Sequence, residues 1–154
     1  ATYFNRRRAV EEHGARRMDS LEALVRQSDV LTLHCPLTEE TRGLVNAELL
    51  AMLPPGAMVI NTSRGAVVEM EALADALESG HLAGAGIDVY PDEPHIPQRL
   101  IACERAVLTP HIGTNTEETR LHMAQACAEK VLAVLAGREP SNIVNPDYRA
   151  HRRL

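Results

Sequence analysis

Residues 57–89 read AMVINTSRGAVVEMEALADALESGHLAGAGIDV, and this stretch decides the fold. Ala57 to Asn61 is the most strand-like run of the chain. A polar turn, Thr62-Ser63-Arg64-Gly65, leads into a helical pattern with Leu73, Ala76 and Leu77 on one face and Gly80 as its stop. Gly84-Ala85-Gly86-Ile87-Asp88-Val89 then reads as a second strand, entered through small residues. Strand, helix, strand at this spacing is one unit of a parallel sheet with a crossover helix.

The alternation continues in both directions, with neither internal repeats nor low-complexity linkers. Upstream, Asp29 to Cys35 is strand-like and is stopped by Pro36; Thr38 and Asn46 are placed to cap two short helices ending at Pro54-Pro55-Gly56. Ala1 to Phe4 reads as a strand, and Asp19 as the cap of a helix to about Gln27, with Glu22 reaching back. Downstream, a loop holding Pro91, Pro94 and Pro97 precedes a strand from Ala106 to Thr109, after which Pro110 and His111 follow at once. Thr114-x-x-Glu117 reads as the capping box of a long helix to Ala136, with Leu121, Ala124, Cys127, Val131 and Leu135 on its apolar stripe and Gly137 as its stop. The fold class expected is α/β, a Rossmann-like doubly wound parallel sheet.

Composition narrows the function classes. The 154 residues are 45% hydrophobic and 24% charged, enough for one ordinary domain with a core that needs no disulfide or metal. Aromatics make up only 3%, which excludes stacking platforms for single-stranded nucleic acid. The net charge is −5 and Lys130 is the only lysine, so a broad basic footprint is missing; Arg6-Arg7-Arg8 is local, large enough for a phosphate and too short for a nucleic-acid surface. Cys35, Cys103 and Cys127 form neither a C-x-x-C motif nor a disulfide framework. No metal is expected. Apolar runs fall short of the ~18 residues of a membrane span, and we expect a cytoplasmic protein without membrane or nucleic-acid partners.

In open α/β sheets, ligands bind beyond the carboxyl ends of the strands. Arg64, Asp88, Glu93 and His111 all follow strand ends. Singly, each has an ordinary role: a surface ion pair, a turn or cap, a structural histidine. Together they suit a reaction that fixes an anionic substrate and passes one proton. Arginine grips a carboxylate as a fork, histidine is the acid near neutral pH, and a carboxylate tunes that histidine.

These residues lie within longer runs. VINTSRGAVVEMEALADALESGHLAGAGIDVYPDEP (Val59 to Pro94), LTPHIGTNTEETR (Leu108 to Arg120) and SDVLTLHCPLTEETRGLVN (Ser28 to Asn46) closely resemble the D-2-hydroxyacid dehydrogenase family, and the resemblance extends from Ala1 to about Asn145. It implies an oxidoreductase that transfers hydride between NAD(P)H and a small 2-oxo acid, with glyoxylate and hydroxypyruvate as the usual light substrates. It implies His111 as acid/base, Glu93 as the partner that holds its tautomer, and Arg64 as the anchor of the 2-oxo acid. It also implies Asp88 as receiver of the nicotinamide carboxamide, with Thr62, Cys35, Pro36, Arg64, His111 and Gly113 lining the cofactor. Homodimers are typical of the family.

Two departures from the family pattern carry information. No G-x-G-x-x-G occurs in these residues, and Gly84-Ala85-Gly86 is no substitute, since it enters a strand. We therefore expect residues 1–137 to be part of an NAD(P)-binding domain, without its first strand and phosphate loop, and residues 138–154 to return towards a substrate domain. The whole would be the later half of a longer enzyme. Second, where NAD-specific members carry Asp for the adenosine ribose, this chain has Asn5 followed by Arg6, a change that favours NADP over NAD. The competing expectations are a non-catalytic NAD(H)-sensing protein of the same fold and an inactive fragment.

Overall fold

The computed structural model describes residues 2–3, 14–145 and 147. Its elements in chain order are β1 (Thr2–Tyr3), β2 (Arg16–Arg17), α1 (Leu21–Val25), β3 (Val30–Leu33), α2 (Ala47–Ala51), β4 (Ala57–Asn61), a 3-10 turn (Gly65–Val67), α3 (Met70–Glu78), β5 (Leu82–Ile87), α4 (Gln98–Ile101), β6 (Ala106–Leu108) and α5 (Glu117–Leu135). Two compact units divide the chain, residues 1–112 and 113–154.

In the first unit, β3, β4, β5 and β6 form a four-stranded sheet in that order, every pair parallel. β1 and β2 form a separate parallel pair. The sheet has an α/β architecture of Rossmann type, as the alternation of runs predicts. Its register sets the site: Leu33 pairs with Asn61, Asn61 with Ile87, and Ile87 with Leu108. The carboxyl ends of all four strands are therefore level, and the loops after them leave from one edge.

Side chains alternate across the sheet. Leu31, Leu33, Ala57, Val59, Ala85 and Ile87 are buried, while Val30, Met58 and Val107 are exposed. Leu49 and Leu50 of α2, Leu73, Ala74 and Leu77 of α3, and Leu100 of α4 join that core. Helix α3 follows the expected 3- and 4-residue spacing and ends before Gly80, whose φ of 78° suits glycine. A fan of ion pairs ties α4 to α3: Arg99 donates to Glu71, Asp75 and Glu78 at 2.7–2.8 Å.

Local chemistry corrects several expectations. The cap of α1 is Ser20, not Asp19; its hydroxyl accepts from the Ala23 N–H at 3.0 Å, and the helix stops at Val25. Thr38 opens only a hydrogen-bonded turn, in which its N–H donates to Thr41 Oγ1 at 2.8 Å; Asn46 does cap α2. The proline-rich loop contains α4, begun by Pro97, whose fixed φ suits a helix start.

In the second unit, α5 is capped by Thr116, two residues after Thr114, its hydroxyl accepting from the Thr119 N–H. The stripe expected to be covered is open along α5, with Leu121, Val131 and Leu135 exposed and Ala133 buried. No helix among the described residues is long and apolar enough to cross a membrane.

Leu73 is fully buried in the first unit. Leu73→Ala should cost about 2–5 kcal/mol in urea unfolding, whereas Ala83→Ser at an exposed strand position should change stability by less than about 0.5 kcal/mol.

Candidate active site

Arg64 stands in the loop after β4. Asn61, the last residue of that strand, is fully buried, and its carboxamide organises the loop. Its Oδ1 accepts from the Ser63 N–H at 3.0 Å and the Ser63 hydroxyl at 2.9 Å, while its Nδ2 donates to the Arg64 carbonyl at 3.0 Å. The Arg64 side chain turns back to donate from Nη1 to the Ser63 carbonyl at 2.6 Å. Next comes Gly65, where a Cβ would fall 2.0 Å from the Tyr90 carbonyl carbon. The absence of a side chain there lets the Arg64 loop lie directly against the loop after β5.

That second loop carries Asp88, Tyr90 and Glu93. Tyr90 is buried, its hydroxyl lying 3.0 Å from the Ile87 carbonyl and 3.1 Å from that of Thr109, so it joins the ends of β5 and β6. Burial, and next the nearby Asp88 charge, raise the phenol's pKa above its ordinary value. The Tyr90 N–H donates to Glu93 Oε1 at 3.0 Å, leaving Oε2 to face His111 Nδ1 at 2.8 Å.

His111 follows β6 with φ 54°, a left-handed conformation uncommon for a side-chain-bearing residue. Asp88 brackets this turn: Oδ1 accepts from Thr109 Oγ1 at 2.5 Å and from the Ile112 N–H at 2.8 Å. A strained backbone thus persists because fixed partners hold the residues before and after it.

Arg64, Glu93 and His111 share a cleft of about 260 Å³, also lined by Leu37, Ala66 and Tyr90. Three of the four charged residues singled out in the sequence meet there. Asp88, buried, lies in the hydrogen-bonded network behind His111. Cys35, half-buried, and the exposed Pro36 and Thr62 follow β3 and β4 at the same sheet edge. Gly113 belongs to the second unit, and Asn5 and Arg6 lie outside the described residues. Asn61, Gly65 and Tyr90 were not singled out in the sequence. A polar residue closing an apolar run was the available signal for Asn61.

An ionised carboxylate only accepts, so the Glu93 contact assigns the donor role to Nδ1 and leaves Nε2 for proton exchange with a substrate. The hydrogen bond from His111, and next that from the Tyr90 N–H, hold the Glu93 carboxyl below its ordinary pKa. Among the described residues, no three His, Cys, Asp or Glu side chains gather in a set suited to a metal ion. The level strand ends, with Pro36 and Thr62 just beyond β3 and β4, form the carboxyl edge at which an open α/β sheet binds its ligands.

The chain belongs to the D-isomer specific 2-hydroxyacid dehydrogenase family: residues 1–113 match the model of its NAD binding domain. It is 44% identical over 148 residues to a glyoxylate reductase of Thermococcus litoralis, covering 94% of this chain and 44% of that protein. Among solved structures, a D-mandelate dehydrogenase of Rhodotorula graminis is similar at TM-score 0.85 and 33% identity, covering 94% of this chain and 44% of that one. An NADPH-dependent glyoxylate/hydroxypyruvate reductase of Sinorhizobium meliloti, in complex with NADP and malonate, is similar at TM-score 0.80 and 32% identity, with 86% and 41% covered. The chain spans less than half the length of these relatives.

The sign of the Glu93 shift sets a pH dependence. A carboxyl whose pKa is depressed on folding adds stability above its unfolded pKa, and that contribution is lost as pH falls through the folded value. Glu93→Gln should therefore lower the melting temperature at neutral pH, with the difference from wild type shrinking in acid and in high salt. A difference independent of pH would contradict the assignment.

Proposed function

We propose that this chain carries the catalytic side of an NAD(P)H-dependent reductase that converts a small 2-oxo acid to the D-2-hydroxy acid, with glyoxylate or hydroxypyruvate as substrate. The observation that carries the reading is the 2.8 Å contact between Glu93 and His111 in a cleft that Arg64 also lines. A guanidinium there binds the substrate carboxylate through paired, charge-assisted hydrogen bonds and draws electron density from the adjacent carbonyl. The cleft's volume, about 260 Å³, suits a molecule of a few heavy atoms.

A reduced nicotinamide, when bound, supplies the hydride that the carbonyl carbon receives. His111 supplies the proton: Nε2–H donates to the carbonyl oxygen as negative charge develops there, and the imidazole ends neutral. Glu93, accepting from Nδ1–H, keeps the ring oriented throughout. Hydride plus proton account for the two hydrogens gained by the product. In the reverse direction the same nitrogen accepts the proton. Asp88, Thr62, Cys35 and Pro36 form the cofactor side in this reading. The family resemblance is also the support for a homodimer.

In the protein that carries this chain, His111→Gln should lower kcat by about 10²–10⁴-fold and leave cofactor affinity, measured by nicotinamide fluorescence, near wild type. Undiminished turnover would overturn the acid/base role.

For the cofactor, we propose that NADP is preferred. Asn5 stands where a carboxylate would repel a 2′-phosphate, and Arg6 beside it supplies an attracting charge. The NADPH-dependent relative supports the same reading. Asn5→Asp should shift the ratio of kcat/KM for NADPH over NADH towards NADH, and an unchanged ratio would refute the preference.

A further inference from the structure

We propose that Asn61 is a positioning residue for substrate binding: its buried carboxamide sets the place of the Arg64 guanidinium in the cleft. The inference rests on Arg64 being the carboxylate anchor. Four linked hydrogen bonds carry it. Asn61 Oδ1 fixes Ser63 through both its N–H and its hydroxyl, and the carbonyl of that same Ser63 is the acceptor for Arg64 Nη1 at 2.6 Å. From the other side, Nδ2 holds the Arg64 carbonyl at 3.0 Å. One fully buried side chain thus fixes the backbone of the arginine and the surface on which its head rests.

The Asn61 main chain extends the constraint, since its carbonyl accepts from the Asp88 N–H at 3.0 Å. Asp88 in turn brackets the His111 turn. The anchor after β4 and the histidine after β6 are therefore referenced to one another through residues 61 and 88. Without the carboxamide, Ser63 loses both side-chain tethers, and the guanidinium loses its fixed support while remaining in the protein. The deficit should fall on carboxylate recognition, because small misplacements of a positioning group are felt strongly in binding and orientation.

The test compares wild type, Asn61→Ala, Asn61→Asp, Arg64→Ala and the Asn61→Ala, Arg64→Ala double variant, each in the protein that carries this chain. Glyoxylate and its methyl ester serve as substrates, and oxamate as an unreactive anion for calorimetry. Asn61→Asp keeps the size and the acceptor but loses the donor to the Arg64 carbonyl, and so provides a second reading should Asn61→Ala fail to fold. We expect both Asn61 variants to raise KM for glyoxylate and Kd for oxamate by about tenfold or more, with kcat changed less. The acid-over-ester ratio of kcat/KM should fall towards that of Arg64→Ala, and Asn61→Ala should add little in an Arg64→Ala background. Equal losses on acid and ester, or full additivity with Arg64→Ala, would overturn the proposal while leaving the anchor intact. An acid-over-ester ratio unaltered by Arg64→Ala would overturn the anchor itself, and the positioning role with it.

Discussion

The site depends on the register of a parallel sheet. Because Leu33, Asn61, Ile87 and Leu108 stand side by side, the loops after four strands begin at one height. A slip of one residue in any strand would turn its side chains to the opposite face and displace its loop by about 3.3 Å. The buried face resists such a slip: Leu31, Val59 and Ala85 lie in one row of the core, and Leu33 and Ile87 in the next. Hydrophobic burial well away from the cleft thereby sets the relative heights of Arg64, Glu93 and His111.

Above that edge, position is set by polar contacts that are few and specific. Tyr90 joins the ends of β5 and β6 through its hydroxyl and holds Glu93 through its N–H. Asp88 spans the left-handed turn at His111. Gly65 permits a backbone-to-backbone approach that any Cβ would block. Tyr90 and Asp88 belong to the loop after β5 and Gly65 to the loop after β4, and each constrains a different coordinate of the Glu93–His111 contact or of the arginine opposite it.

Strands and the charged residues at their ends were legible because they depend on local pattern. AMVIN forms β4 at the expected boundaries, and Arg64, Glu93 and His111 meet in one cleft. Caps were less legible, since Asp19 and Ser20, or Thr114 and Thr116, offer similar oxygens within two residues, and the geometry of the entering chain selects between them. Helix α4 was hidden by its prolines, although Pro97 sits where a helix tolerates one. The open stripe on α5 marks another limit: periodicity identifies an apolar face without naming what lies against it.

Asn61 shows why the supporting residues were hardest to read. A carboxamide within a core is costly unless its donors and acceptors find partners, and here Oδ1 and Nδ2 find theirs in the next three residues. The cost of burial becomes a constraint, because only the loop conformation that presents Ser63 and the Arg64 carbonyl satisfies the group. An apolar residue at this position would leave the loop from Thr62 to Gly65 without these tethers. The polar residue closing an apolar strand is thus the point at which the energetics of the core are converted into the placement of a charge in the cleft.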